Sequence, residues 1–186
     1  MYKICQTEQS TRRQRELEQG LLCLLQKRRY EDISVSDLCE YMQIPRKSFY
    51  RYFSNKDGAL YALIDHTLAD FFQAPLPDGK HRGSGLDDLK LFFLFWYDNK
   101  GFLDALQRSG LSGVLVERAT TYALREKNMP RKFIAVPQNL QETAMSFAVC
   151  GLMAMMFTWH RQGYKTSLDE LTKLAVELLT TPLLSR

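Results

Sequence analysis

The chain has 186 residues, of which 45% are hydrophobic and 25% charged, with a formal net charge of +4. These are ordinary globular values, and they exclude a disordered chain, a collagen-like chain and a disulfide scaffold. No run reaches the roughly 20 apolar residues that span a bilayer, and the opening MYKICQTEQSTRRQRE lacks the apolar core and small-residue cleavage site of a secretory signal.

Cys5, Cys23, Cys39 and Cys150 are far apart and form neither a CxxC pair nor a zinc spacing. Reduced thiols in a cytoplasmic protein are expected, with no metal or cofactor. Cys23 and Cys39 are read as packing residues, and Cys150 as a buried structural thiol with a redox sensor as the alternative. His66, His81 and His160 have no ligand spacing between them. Residues 1–56 hold 11 Lys and Arg against 7 Asp and Glu, so the whole positive excess lies in the first third. Arg46, Lys47, Arg51 and Lys56 form an acid-free cluster, the electrostatic footprint of a polyanion partner.

In chain order, a first helix is expected from Thr7 or Ser10 to Lys27. Leu17, Leu21, Leu24 and Leu25 fall on one face of it. Arg12, Arg13 and Arg15 crowd its start, where positive charge opposes the helix dipole unless an anion binds nearby. Ser34, with Asp37 three residues on, is placed to cap a short second helix ending near Tyr41. Met42-Gln43-Ile44 is a tight connection, and Pro45 suits the first turn of a third helix, Arg46 to Phe53. Ser54 or Asn55 caps a fourth, about 55–72, in which Leu60, Leu63, Ile64, Leu68, Phe71 and Phe72 keep a 3.6-residue period.

Ala74 to Gly85, with two prolines and three glycines, is the strongest boundary in the chain. Beyond it, Leu91–Tyr97 (LFFLFWY) has the composition of a buried strand, but Leu86, Leu89, Phe93, Trp96 and Tyr97 keep a helical period. Helices are expected over about 100–109 and 112–127, and a proline-bounded loop over 128–137. Ala144–Trp159 is apolar nearly all round and too short to span a membrane. Such a helix must be covered on every face, so its own domain can supply one side and a second subunit the other. Leu171, Leu174, Ala175, Leu178 and Leu179 form the stripe of a final helix that follows Gly163. The fold expected is all-α with about nine helices.

Residues 34–53 have the short helix, tight turn and second helix of a helix-turn-helix. On a wheel, Phe49 and Phe53 face inward and Lys47 and Arg51 outward. Arg46 and Tyr50 flank the outward pair on one side and Ser48 on the other. That surface offers charge for phosphates and forked donors for guanine edges.

The stretch Tyr30–Leu60 (YEDISVSDLCEYMQIPRKSFYRYFSNKDGAL) closely resembles the DNA-binding region of TetR-type transcriptional regulators. The match rests on Ser34-Val35, Leu38, Ile44, Ser48, Phe49, Tyr50, Tyr52-Phe53 and Lys56-Asp57, and extends over about residues 10–72. The chain departs from the pattern at Gln43 and Lys47, where glycine is usual, and at Pro45, where serine is. If Gln43 needs a positive φ, it costs roughly 1–2 kcal/mol. The resemblance implies a sequence-specific regulator, a ligand-responsive repressor binding a palindromic operator in double-stranded DNA as a homodimer. The alternative is a regulator with no small-molecule effector that recruits a protein partner. The same resemblance implies an N-terminal DNA-binding domain (1–56), a linking helix (about 55–72) and a C-terminal dimerisation and effector domain (73–186).

By resemblance, Arg46, Lys47, Ser48, Tyr50 and Tyr52 contact bases or phosphates; Tyr52 lies beside the core face, so packing stays open for it. Lys56 and Ser34 or Ser36 reach the DNA backbone, and Arg12 and Arg13 make non-specific phosphate contacts. Phe92, Phe95, Trp96, Phe102, Met153, Met156 and Trp159 are candidates for an effector pocket, with core packing as the alternative. Ala148, Leu152, Met155, Leu171, Leu174 and Leu178 are candidates for the dimer interface. No nucleophile elbow, phosphate loop, carboxylate pair or metal cluster points to an enzyme.

Overall fold

The computed structural model of the protein describes residues 1–75, 85–125 and 136–180. Nine α-helices lie among them: α1 (Glu8–Leu25), α2 (Val35–Tyr41), α3 (Arg46–Tyr50), α4 (Lys56–Gln73), α5 (Leu86–Asp98), α6 (Lys100–Arg108), α7 (Ser112–Arg125), α8 (Gln138–Arg161) and α9 (Leu168–Thr180). No strand occurs among the described residues, so the all-α class expected from the sequence is the one observed. One isolated antiparallel bridge joins Tyr2 to Phe53. The loop expected over 128–137 falls largely outside the described residues, as do His81 and most of the proline-glycine boundary.

The chain divides into two compact units. The first comprises Met1–Ala69 and Gly101–Gly113, the second Asp70–Lys100 and Val114–Arg186. The first unit therefore takes in most of α6, which a boundary at residue 73 assigns to the C-terminal region. The attachment is specific. Arg108 Nη1 donates to the Gln26 carbonyl at 2.5 Å, and the Tyr30 N–H donates to Ser109 Oγ at 3.0 Å.

Local chemistry explains the helices of the first unit. Thr7 caps α1 and exchanges hydrogen bonds with Ser10 in a capping box. Leu17, Leu21, Leu24 and Leu25 are all buried, as their spacing requires. Ser34 and Asp37 form the capping box that starts α2. Gln43 then turns the chain with φ 54°, the left-handed value that usually selects glycine. Asn55 Oδ1 accepts from the Gly58 N–H at 2.8 Å and caps α4.

In the second unit α5 packs against α8 and α9. Leu91, Phe93 and Trp96 of α5 are buried, with Met153, Met156 and Trp159 of α8 and Ala175 of α9. The turn after α8 uses two consecutive left-handed residues, Gly163 (φ 66°) and Tyr164 (φ 60°). Their amides donate to the carbonyls of His160 and Trp159, both at 3.0 Å, which satisfies the end of α8.

Helix α8 differs from its expectation. It starts after Pro137 and runs 24 residues, instead of the 16 of Ala144–Trp159. At that length it is apolar enough to cross a membrane by length and composition, so the reading that it is too short is corrected. The core helix of a water-soluble domain passes the same test, and one face of α8 is buried in its own unit.

Candidate nucleic-acid interface

Helix α3 ends at Tyr50, short of the expected Phe53, and together with the turn that follows it has one face in the core and one in solvent. Phe49 and Phe53 are fully buried, with ring centroids 5.2 Å apart. Arg46, Lys47, Tyr50 and Arg51 are exposed, and Ser48 and Tyr52 are half-buried. Tyr50 leaves half of its surface in water, although a phenol is ordinarily drawn inward. Among the described residues Lys47 and Arg51 make no ion pair, so their charge is available to an external anion.

Helix α2 supports this face. An Arg46 guanidinium N–H donates to Ser36 Oγ, tying the start of α3 across the tight turn and leaving the other guanidinium donors for a partner. Ser34 is exposed, but its hydroxyl is committed to the capping box with Asp37. Asp37 also receives Arg28 Nη1 at 2.9 Å. The Ser34 hydroxyl first, and then the Arg28 guanidinium, hold the Asp37 carboxyl well below the usual carboxylate range.

Lys56 is the clearest correction. Its ammonium donates to the carbonyls of Tyr30 (2.6 Å) and Ile33 (2.5 Å) and lies 4.1 Å above the Tyr30 ring. Two of its three protons are thus spent inside the protein, and it fastens the 3-10 turn Tyr30–Asp32 to the start of α4. The Tyr30 hydroxyl completes the clasp by donating to Asp57 Oδ1 at 2.6 Å. Burial, then the Asp57 carboxylate, push the phenol's pKa far up. Tyr30 and Asp57 were missed as a pair because they are 27 residues apart.

At the start of α1, Arg12 Nε and Arg13 Nη1 pair with Glu16 at 3.1 and 2.9 Å. This intrahelical pairing supplies the negative charge that the sequence reading sought in a phosphate. A surface groove of about 460 Å³ opens nearby, lined by Arg12, Arg15, Glu16, Gln19, Gly20, Cys23, Tyr41 and Met42.

The residues read as an effector pocket are packed against one another or separated. Phe71 meets Phe92 and Phe95 edge-on, at centroid distances of 5.8 and 5.4 Å, and Phe95 meets Trp96 at 5.4 Å. Trp96, Met153, Met156 and Trp159 are buried, and Trp159 Nε1 donates to the Thr166 carbonyl at 2.8 Å. Phe102 belongs to the other compact unit.

The interface set is also revised. Ala148 and Leu171 are buried inside their own unit and present no surface to a partner, while Leu152 and Met155 are half-buried. Leu174 and Leu178 are exposed, at 46% and 37%. On α8 the solvent face is Phe147, Cys150, Gly151, Ala154 and Thr158, with Phe147 66% exposed. This stripe lies one residue from the one read off the sequence. In an all-apolar helix the pattern gives no phase, so either register fits. Cys150 is exposed, which overturns its reading as a buried thiol; Cys39 is buried, and burial raises its pKa.

No family's sequence profile matches the chain, and no characterised protein matches it by sequence. Solved structures do match over nearly the whole length. A TetR-family transcriptional regulator from Streptomyces coelicolor is 18% identical, with a TM-score of 0.58 and coverage of 91% of this chain and 79% of that one. The dihydroxyacetone kinase operon activator DhaS is 18% identical, with a TM-score of 0.55 and coverage of 90% and 93%. The TetR-family repressor AlkX from Dietzia sp. strain DQ12-45-1b is 17% identical, with a TM-score of 0.53 and coverage of 88% and 90%. The chain has the fold of TetR-type transcription regulators.

Proposed function

We propose that the protein is a sequence-specific DNA-binding transcriptional regulator that acts as a homodimer. One observation carries the reading: α3 and the turn after it set Arg46, Lys47, Tyr50 and Arg51 outward over the buried Phe49 and Phe53. A helix so built can enter the major groove, with the cations meeting phosphates and the fork of Arg46 reading a base edge. Two such helices must sit about 34 Å apart to read successive turns of DNA, which is the work of a dimer. The exposed stripe of α8, with Leu174 and Leu178 of α9, supports the dimer.

Repression under the control of a small-molecule effector is one form of this reading. A second form, in which the C-terminal region recruits a protein and no effector acts, is favoured by the aromatic packing. The rings of Phe71, Phe92, Phe95 and Trp96 fill the space between one another. Whether DNA binding represses or activates belongs to the genes next to the operator; both an activator and a repressor are among the proteins of this fold.

The test is selection from random duplex oligonucleotides by the purified full-length protein at physiological salt. A two-fold symmetric site is expected. A folded protein that enriches no sequence, with or without cell extract as an effector source, would refute the reading.

A further inference from the structure

Two positions on the buried side of α1 are polar. Gln14 and Glu18, one turn apart, are 2% and 0% exposed. Buried polar groups require partners, and theirs lead to one place. Gln14 Nε2 donates to the Lys3 carbonyl at 3.3 Å, while its Oε1 accepts from Cys5 Sγ at 2.8 Å. Both carboxylate oxygens of Glu18 lie 2.9 Å from His66 Nδ1, and the His66 ring meets the Tyr2 ring edge-on at 5.8 Å. The Tyr2 hydroxyl donates to Asp65 Oδ2 at 2.6 Å.

Residues 1–5 so held run alongside the end of the helix-turn-helix. The Lys3 N–H donates to the Tyr52 carbonyl at 2.9 Å, and the Ser54 N–H donates to the Met1 carbonyl at 3.1 Å. These bonds flank the Tyr2–Phe53 bridge. They fall where α3 has ended and α4 has not begun, so the backbone groups satisfied here have no helical partner. Gly58 makes the approach possible: a Cβ there would stand 2.4 Å from the Met1 carbonyl oxygen and 3.0 Å from its carbon.

We propose that residues 1–5 form a strap that fixes the C-terminal end of α3, and that Tyr2 is its positioning residue. The strap touches no DNA in this account. It sets the angle at which Arg46, Lys47 and Arg51 are presented, and in that consequence it rests on the DNA-binding reading above. Lys3 and Ser54 are the sensors, because their amides are bonded across the strap.

The experiment uses the full chain and three variants, Tyr2→Ala, Tyr2→Phe and Gly58→Ala. Amide hydrogen exchange by NMR is read first, without DNA. Tyr2→Ala removes both the ring and the hydrogen bond to Asp65, and should speed exchange at Lys3 and Ser54 about ten-fold or more over the rest of the first unit. Tyr2→Phe keeps the ring and should fall between. Gly58→Ala should loosen the same two amides by crowding Met1, although alanine favours the helix itself. DNA affinity is read second, on the selected site. Tyr2→Ala should bind about ten-fold more weakly with the salt dependence unchanged, because no phosphate contact is lost. Unchanged exchange at Lys3 and Ser54, or an equal rise throughout the unit, overturns the strap. Faster exchange with unaltered affinity overturns the positioning role. If the unsubstituted protein selects no site, the DNA-binding reading fails, and the exchange data alone decide the strap.

Discussion

Gln43 and Tyr164 occupy the same strained region of backbone for different reasons. Gln43 is exposed, and its side chain makes no hydrogen bond among the described residues, so a left-handed L-residue there costs roughly 1–2 kcal/mol. Gln43→Gly should raise stability by about 0.5–1 kcal/mol, once the greater freedom of glycine in the unfolded chain is subtracted. The midpoint of urea unfolding checks this; a lower midpoint would show that the glutamine side chain holds the turn. Tyr164 is the opposite case. Its ring sits 4.8 Å from both Tyr97 and Trp159, and its hydroxyl is 2.6 Å from His160 Nδ1. Tyr164→Gly should therefore lower stability despite relieving the backbone. Asp37 adds a pH dependence. Its depressed pKa stabilises the fold above the unfolded value of roughly 4 and withdraws that support as pH falls through the folded value. Asp37→Asn should flatten the acid limb of a stability profile measured from pH 6 to 2, with the difference between the two proteins narrowing toward the acid end.

Among the elements, α3 and α8 carry the functional claims, and each can be tested on its faces. Lys47 is exposed on α3 and makes no ion pair among the described residues. Lys47→Ala should weaken binding to the selected site and reduce the slope of log K against log salt by about 0.9. An unchanged slope would place Lys47 off the DNA. Lys56→Ala should act differently, because its ammonium is bonded to the carbonyls of Tyr30 and Ile33. Loss of melting temperature is expected before any loss specific to DNA. On α8, adjacent residues have opposite fates. Phe147→Asp should yield a folded monomer by sedimentation, since its ring is in water within one chain. Ala148→Asp should damage the fold itself by burying a carboxylate. If Phe147→Asp remains dimeric, the contact lies elsewhere than on this stripe.

At the scale of the whole molecule, the proposal joins a DNA-reading unit to a dimerising one. Binding at one half-site makes binding at the second effectively intramolecular, which commonly adds 10²–10⁴-fold to the overall affinity. A monomeric Phe147→Asp protein should therefore lose on the order of 10²-fold on the full site and little on an isolated half-site. Equal loss on both would mean that the substitution had disturbed α3. The chain's path also matters here. Residues 101–113 belong to the same compact unit as α1 to α3 and most of α4, through Arg108 on Gln26 and Ser109 on Tyr30.

The sequence by itself determined the helices and the polarity of their faces, because those follow from local chemistry and a fixed period. Ser34 and Asp37 had to cap α2, Phe49 and Phe53 had to share a face, and Gln43 had to adopt glycine's conformation if the turn was to be tight. It located the basic cluster for the same reason. What it could not determine was which distant atoms meet. Lys56 turns inward because the fold brings two carbonyls, 23 and 26 residues away, within reach of its ammonium. Gln14 and Glu18 are buried because residues 3 and 66 come to them. The phase of α8 was undecidable, since an apolar residue on every face removes the contrast that periodicity needs. Only the packing of α5 and α9 against one side decides which side remains for a partner.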